Sequence, residues 1–150
     1  MPQRQVPEGP DPFDLARFVQ AQEHAYARAL AELRSGRKRS HWMWYIFPQM
    51  RGLGTSPLSR QYGISSRAEA SAYLRHPVLG PRLVECASAV LATGGASATD
   101  ILGSPDDRKL RSSATLFAQV ADRPSVFGEI LETFYGGVPD AATLRLLGPA

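Results

Sequence analysis

Sulfur chemistry is almost missing from this sequence. Its one cysteine, Cys86, excludes an internal disulfide. The three histidines, His24, His41 and His76, lie far apart, and neither an HExxH nor a CxxC spacing occurs, so no metal site is expected. There is no Walker loop and no GxGxxG after a strand-like run, which excludes the common nucleotide-binding folds at the level of motif. No apolar run approaches the roughly 20 residues of a membrane helix. The start, MPQRQVPEGPDPFD, lacks the apolar centre of a signal peptide. A cytoplasmic protein without a membrane partner is therefore expected, and no cofactor is implied. Convincing period-two alternation is absent too, as are internal repeats and low-complexity stretches.

What is present suits one ordinary domain. The chain has 150 residues, 43% of them hydrophobic, enough for a real core. Residues 1–10 read as a disordered tail and 11–150 as a single helical domain. The net charge of +3 and pI near 9.4 are mildly basic. Such a balance is compatible with an anionic ligand without demanding nucleic acid.

The chain reads as helices joined by well-marked turns. Asp11-Pro12 is expected to open the first, since aspartate caps well and proline suits the first helical position. Leu15, Phe18, Val19, Gln22, Tyr26, Leu30 and Leu33 then recur at helical spacing up to Gly36. Ser66 with Glu69 makes a capping-box pattern for a helix that ends before His76-Pro77. Another is predicted from about Val78 to Thr93, with Cys86 on its apolar stripe as a core thiol. Ser97 and Asp100 suggest a short helical turn. Ser104-Pro105-Asp106-Asp107 reads as cap, proline and two acids, opening a helix to about Ala121. Ser125 and Asp140 open the last two. The fold class is mainly α, a bundle with one long irregular segment, Arg37 to Ser65.

That segment, GRKRSHWMWYIFPQMRGLGTSPLSRQYGI, gathers cations, aromatic rings and turn residues. A long loop inside a compact domain is functional or poorly ordered, and these rings are too apolar to stay in water. One reading is a lid that closes the core. The other is a ligand site. An aromatic face stacks a ring, while arginine and backbone amides hold a phosphate or carboxylate. Arg37, Lys38 and Arg39 read first as a solvated face.

Three blocks together resemble a known family: the segment just quoted, EASAYLRHPVLGPRLVE, and SPDDRKLRSSATLF. The family is the bacterial and fungal one called domain of unknown function 1810, some of whose members carry a calpastatin label. The likeness runs from about Phe18 to Leu147. It implies a small helical fold and brings no settled activity. Leu102 stands where phenylalanine is usual and Ala114 where methionine is usual; both read as core changes.

Outside the segment, His76 is placed to cap the preceding helix. Arg82 lies in the first turn of a helix, unfavourable for the dipole, so an acid such as Asp106 or Asp107, or a bound anion, is expected to hold it. Lys109 shares a side with Ser112 and Ser113, which makes a Ser-Lys nucleophile conceivable without any flanking motif. Glu23 and His24 are adjacent on a helix and point apart.

Two functions follow. The first is an enzyme or sensor for a small anionic, ring-bearing molecule, such as a nucleotide or an ADP-ribose-like compound. Trp42 or Trp44 would stack the ring, Arg51 and Arg82 would hold the anion, and His41 would transfer a proton. Gln49 and Ser56 would orient the ligand, with Tyr62 and Lys109 beside it. The alternative is a nucleic-acid or protein interaction module using residues 37–62, with Arg37, Lys38, Arg39, Arg51 and Arg60 as its basic face.

Overall fold

Half of the helix starts among the described residues are written as a polar side chain three residues ahead of a free amide. The computed structural model describes residues 9–149. Ten helices occur among them: α1 (Ala16–Gln22), α2 (Tyr26–Arg34), α3 (Met43–Ile46), α4 (Pro57–Gln61), α5 (Arg67–Arg75), α6 (Leu79–Leu91), α7 (Ala98–Leu102), α8 (Asp106–Ala118), α9 (Val126–Tyr135) and α10 (Ala141–Leu147). Ser56, Ser66, Ser97, Ser125 and Asp140 each accept the backbone N–H three positions on, capping α4, α5, α7, α9 and α10. Gly136 ends α9 in the left-handed conformation. Among the described residues there is no strand; Met50 and Ile64 form one isolated parallel bridge. The fold is mainly α, as expected. The predicted tail lies outside the described residues, apart from exposed Gly9 and Pro10.

Three local expectations need correction. The first helix is two helices, and it starts later. Asp11 accepts the amides of Leu15 and Ala16 at 2.8 and 2.9 Å, so it caps from a turn further back. Short-range bonds from Glu23 N to Gln20 O and from Ala25 N to Gln22 O then break the continuous pattern. Pro105, not Ser104, occupies the cap position of α8, whose early amide on Asp107 donates to Gly103 O. The segment 37–65 is not irregular throughout, because α3 and α4 lie within it.

One core runs through the bundle. α6 packs against α2, α5 and α9, while α8 packs against α5, α7, α9 and α10. Phe18, Tyr73, Phe117 and Phe127 form a chain of rings with centroids 5.1, 5.4 and 5.6 Å apart. Leu102 and Ala114 are buried in it. So are Trp42, Met43, Ile46, Phe47, Met50 and Ile64, which means the aromatic run of the segment closes the core on this side.

The tightest approach is at the α5–α6 corner. A Cβ on Gly80 would meet the Leu74 carbonyl oxygen at 2.0 Å. A backbone atom cannot swing aside as a side-chain tip can. Gly80→Ala is expected to cost about 1–3 kcal/mol, although alanine is the better helix former. Gly128, in α9, has only an ordinary 3.7 Å contact with Ser125 Oγ, so Gly128→Ala should be neutral or gain up to about 1 kcal/mol. Urea unfolding of the two variants checks this; equal effects would refute the steric account.

Candidate functional site

Two buried-facing networks fix the shape of the segment before any site can form. The first centres on Arg17 of α1. Its guanidinium donates to the carbonyls of Phe13, Asp14, Gln61 and Gly63 and pairs with Glu69 of α5 at 2.8 Å. Glu69 in turn accepts from Ser65 N and Ser65 Oγ, rather than closing back on Ser66 as a capping box would. The second centres on Glu32 of α2. Its carboxylate accepts from Arg39 N, Ser40 N, Ser40 Oγ and Trp42 Nε1 at 2.6–2.9 Å. Partial burial pushes the Glu32 pKa upward, but these donors outweigh it and hold the carboxyl down at about 2.

Between these anchors the segment folds over the first half of α8 and leaves a cavity of about 500 Å³. Trp44, Gln49, Ser56, Ser59 and Tyr62 line it from the segment. Arg108, Lys109 and Ser112 line it from α8, and Asp140 from the cap of α10. Asp140 is held by α8: its N–H donates to Thr115 Oγ1 at 2.8 Å, and Arg111 donates to the carbonyls of Val138 and Pro139. Lys109 Nζ sits 4.5 Å from the centre of the Trp44 ring and 3.2 Å from Asp106 Oδ1. The same Asp106 also pairs with the buried Lys38 at 2.9 Å. Tyr62 is braced edge-on by Tyr45 and at a tilt by Phe18.

Five residues singled out from the sequence thus meet in one cavity: Trp44, Gln49, Ser56, Tyr62 and Lys109. Four others do not line it. Trp42 is a core residue bonded to Glu32. His41 is exposed, and its carbonyl accepts from the Tyr45 hydroxyl at 3.1 Å. Arg51 donates to Gly63 O and lies with Arg17 and Arg60 at a separate surface depression. Arg82 is held neither by Asp106 nor by Asp107. Its Nη1 donates to Gln22 Oε1 at 3.3 Å, and its guanidinium stacks over Tyr26. The Gln22 amide is itself fixed by Tyr45 O and Tyr73 Oη, which explains a cation at that helix start without a ligand.

Lys109 Nζ pairs with Asp106, and Ser112 Oγ donates to Arg108 O at 3.3 Å, so no Ser-Lys couple is formed. Ser113 is buried, as is Cys86, whose thiol is pushed up by burial to about 12. Among the described residues no three His, Cys, Asp or Glu side chains gather as a metal site, and no helix is long and apolar enough to cross a membrane. Sequence reasoning passed over Arg108 and Asp140. Asp140 had a complete local explanation as a helix-start residue. The Arg108-Lys109 doublet was the available signal.

The family described as protein of unknown function, DUF1810, matches residues 12–147. The chain belongs to that family. Its fold superposes on the crystal structure of the conserved hypothetical protein Rv1873 from Mycobacterium tuberculosis with a TM-score of 0.91. The two are 54% identical, over 93% of this chain and 100% of that one. No curated protein matches the chain. DUF1810 membership therefore brings the fold with it, and the chemistry has to be read from the cavity.

Both anchors can be tested. Arg17→Met would strand the buried Glu69 and should cost about 3–5 kcal/mol, with faster amide exchange over residues 61–65. Glu32 has a folded pKa below its ordinary value of 4.5. Its contribution is therefore full above that value and fades as pH falls towards about 2. The stability gap between wild type and Glu32→Gln should be wide at neutral pH and narrow steadily through that window. A gap independent of pH would refute the role of the charge.

Proposed function

We propose that this DUF1810 protein binds a small anionic, ring-bearing molecule, a nucleotide or an ADP-ribose-like compound, in the cavity between the segment and α8. The observation that carries this reading is the meeting of Trp44, Tyr62, Arg108 and Lys109 around one space of about 500 Å³. That volume is in the range of small-ligand sites, which run from about 300 to 1,000 Å³. Arg108 is exposed and has no acid partner among the described residues, so its charge is available to a phosphate. Lys109 supplies a second cation from the adjacent position. Tyr62, and the face of Trp44 not covered by Lys109, offer ring surfaces. Gln49 presents both a donor and an acceptor, and Asp140 an acceptor for sugar hydroxyls. Binding is the assigned role, because no nucleophile and base meet in the cavity.

An interaction module for nucleic acid or protein on residues 37–62 draws less support. Trp42 and Phe47 are buried and unavailable for stacking, and the Lys38 side chain is itself buried against Asp106, whereas that of Lys109 keeps exposure to the cavity side. The same experiment separates the two readings. Thermal unfolding is followed with AMP, NAD, ADP-ribose and a single-stranded oligonucleotide, at low and high salt. A small ligand at about 100 times its Kd should raise Tm by about 5–10 °C and survive salt. Lys109→Met and Arg108→Ala should each weaken it by about tenfold or more. His41→Ala and Arg51→Ala should leave it unchanged. A shift with the oligonucleotide alone, erased by salt, would transfer the assignment to the interaction surface.

A further inference from the structure

A second cavity, of about 480 Å³, lies on another face, between the chain entering α1 and the α5–α6 corner. Its walls are mostly apolar: Phe13 and Leu15 on one side, Ala72 and Pro77 on the other. The polar group that matters is His76, which also lines this cavity although its relative exposure is only 7%. Its Nδ1 accepts the amides of Val78 and Leu79 at 3.1 and 3.2 Å, so the imidazole is committed to capping α6. An Nδ1 that accepts two N–H bonds carries no proton. The proton of the neutral ring therefore sits on Nε2, which has no partner among the described residues. Burial lowers the His76 pKa and favours that neutral form. Arg75, the next residue back, lines the same cavity, is exposed and has no acid partner among the described residues. The one acid there, Asp11, has one carboxylate oxygen on the Leu15 amide and the other on the Ala16 amide.

We propose that this cavity is a binding site for a small apolar monocarboxylate. The hydrocarbon part fills the space against Phe13, Leu15 and Pro77. The carboxylate accepts from His76 Nε2–H and from the Arg75 guanidinium. A fixed neutral donor beside a free cation selects an acceptor that bears negative charge, and the apolar walls select against a small hydrophilic anion. Nothing in this site is shared with the cavity at Trp44 and Arg108, so the two stand or fall separately.

The test uses the full chain labelled with ¹⁵N, titrated with phenylacetate and with its uncharged amide, phenylacetamide. Phenylacetate should bind with a Kd on the order of 1 mM and shift the amides of residues 72–79, with Val78 and Leu79 reporting on the His76 bonds. Phenylacetamide should bind about tenfold more weakly. Arg75→Gln should weaken phenylacetate by about the same factor. His76→Asn can still cap α6 through its Oδ1 but no longer reaches the cavity, so it should lose binding while remaining folded. Asp11→Asn, also a competent cap, removes a like charge and should tighten binding. Ala72→Phe fills the space and should abolish it. Equal binding of acid and amide, shifts centred on Trp44 and Arg108, unchanged affinity in folded Arg75→Gln and His76→Asn, or no shift with either probe would each overturn the proposal.

Discussion

The contact on which the rest of this structure depends is the ion pair between Arg17 and Glu69. A guanidinium has five N–H donors in a rigid fork. Arg17 uses them on four carbonyls from two distant stretches and on one carboxylate. A buried pair of this kind is weak evidence for stability in itself, because desolvation offsets much of the attraction. Its value here is positional. It joins the chain before α1, the end of α4 and the start of α5 at one point. The long excursion from residue 37 to 65 then returns to a fixed place. Gly63, clamped by Arg17 and Arg51, leaves no room for a side chain, since a Cβ there would come within 2.8 Å of Arg51 Cα. The cavity wall at Gly63 and Tyr62 is an outcome of that clamp.

The motif HWMW contains two tryptophans with opposite assignments. Trp42 turns inward and hands its indole N–H to Glu32, so its ring is core and its polar atom is satisfied. Trp44, two residues on, faces the cavity under Lys109. Trp42 precedes the single turn of α3 with non-helical dihedrals, while Trp44 lies within that turn. The sequence pattern shows that both rings are costly to leave in water. It does not contain the three-dimensional partner that separates them, because Glu32 and Lys109 lie on α2 and α8.

That contrast explains which features were legible. Helix starts were read well wherever the cap is local: Ser66, Ser97, Ser125 and Asp140 all bond within three residues of themselves. The family was legible because its motif blocks span most of the chain. The break between α1 and α2 was not, since the apolar positions Phe18, Val19, Leu30 and Leu33 keep helical spacing across it. Arg82 was misread for a different reason. Its partner, Gln22, is neutral and sixty residues away. A search for charge complements passes over an amide oxygen. Arg17 and Glu32 gave no local signal, because many of their partners are backbone atoms, which carry no sequence signature, and the Glu69 partner of Arg17 lies far along the chain.

The cavity at Trp44 is assembled from the segment, from α8 and from the cap of α10. Asp140 and Ala142 are the last of its walls to be made on the ribosome. Synthesis proceeds from the N-terminus and earlier elements are free to pack first. A nascent chain that has reached only Gly137 already holds every ring and cation of the site, yet one side of the space is open to solvent. The cavity is therefore enclosed only when α10 docks, and that helix closes a body that was made before it.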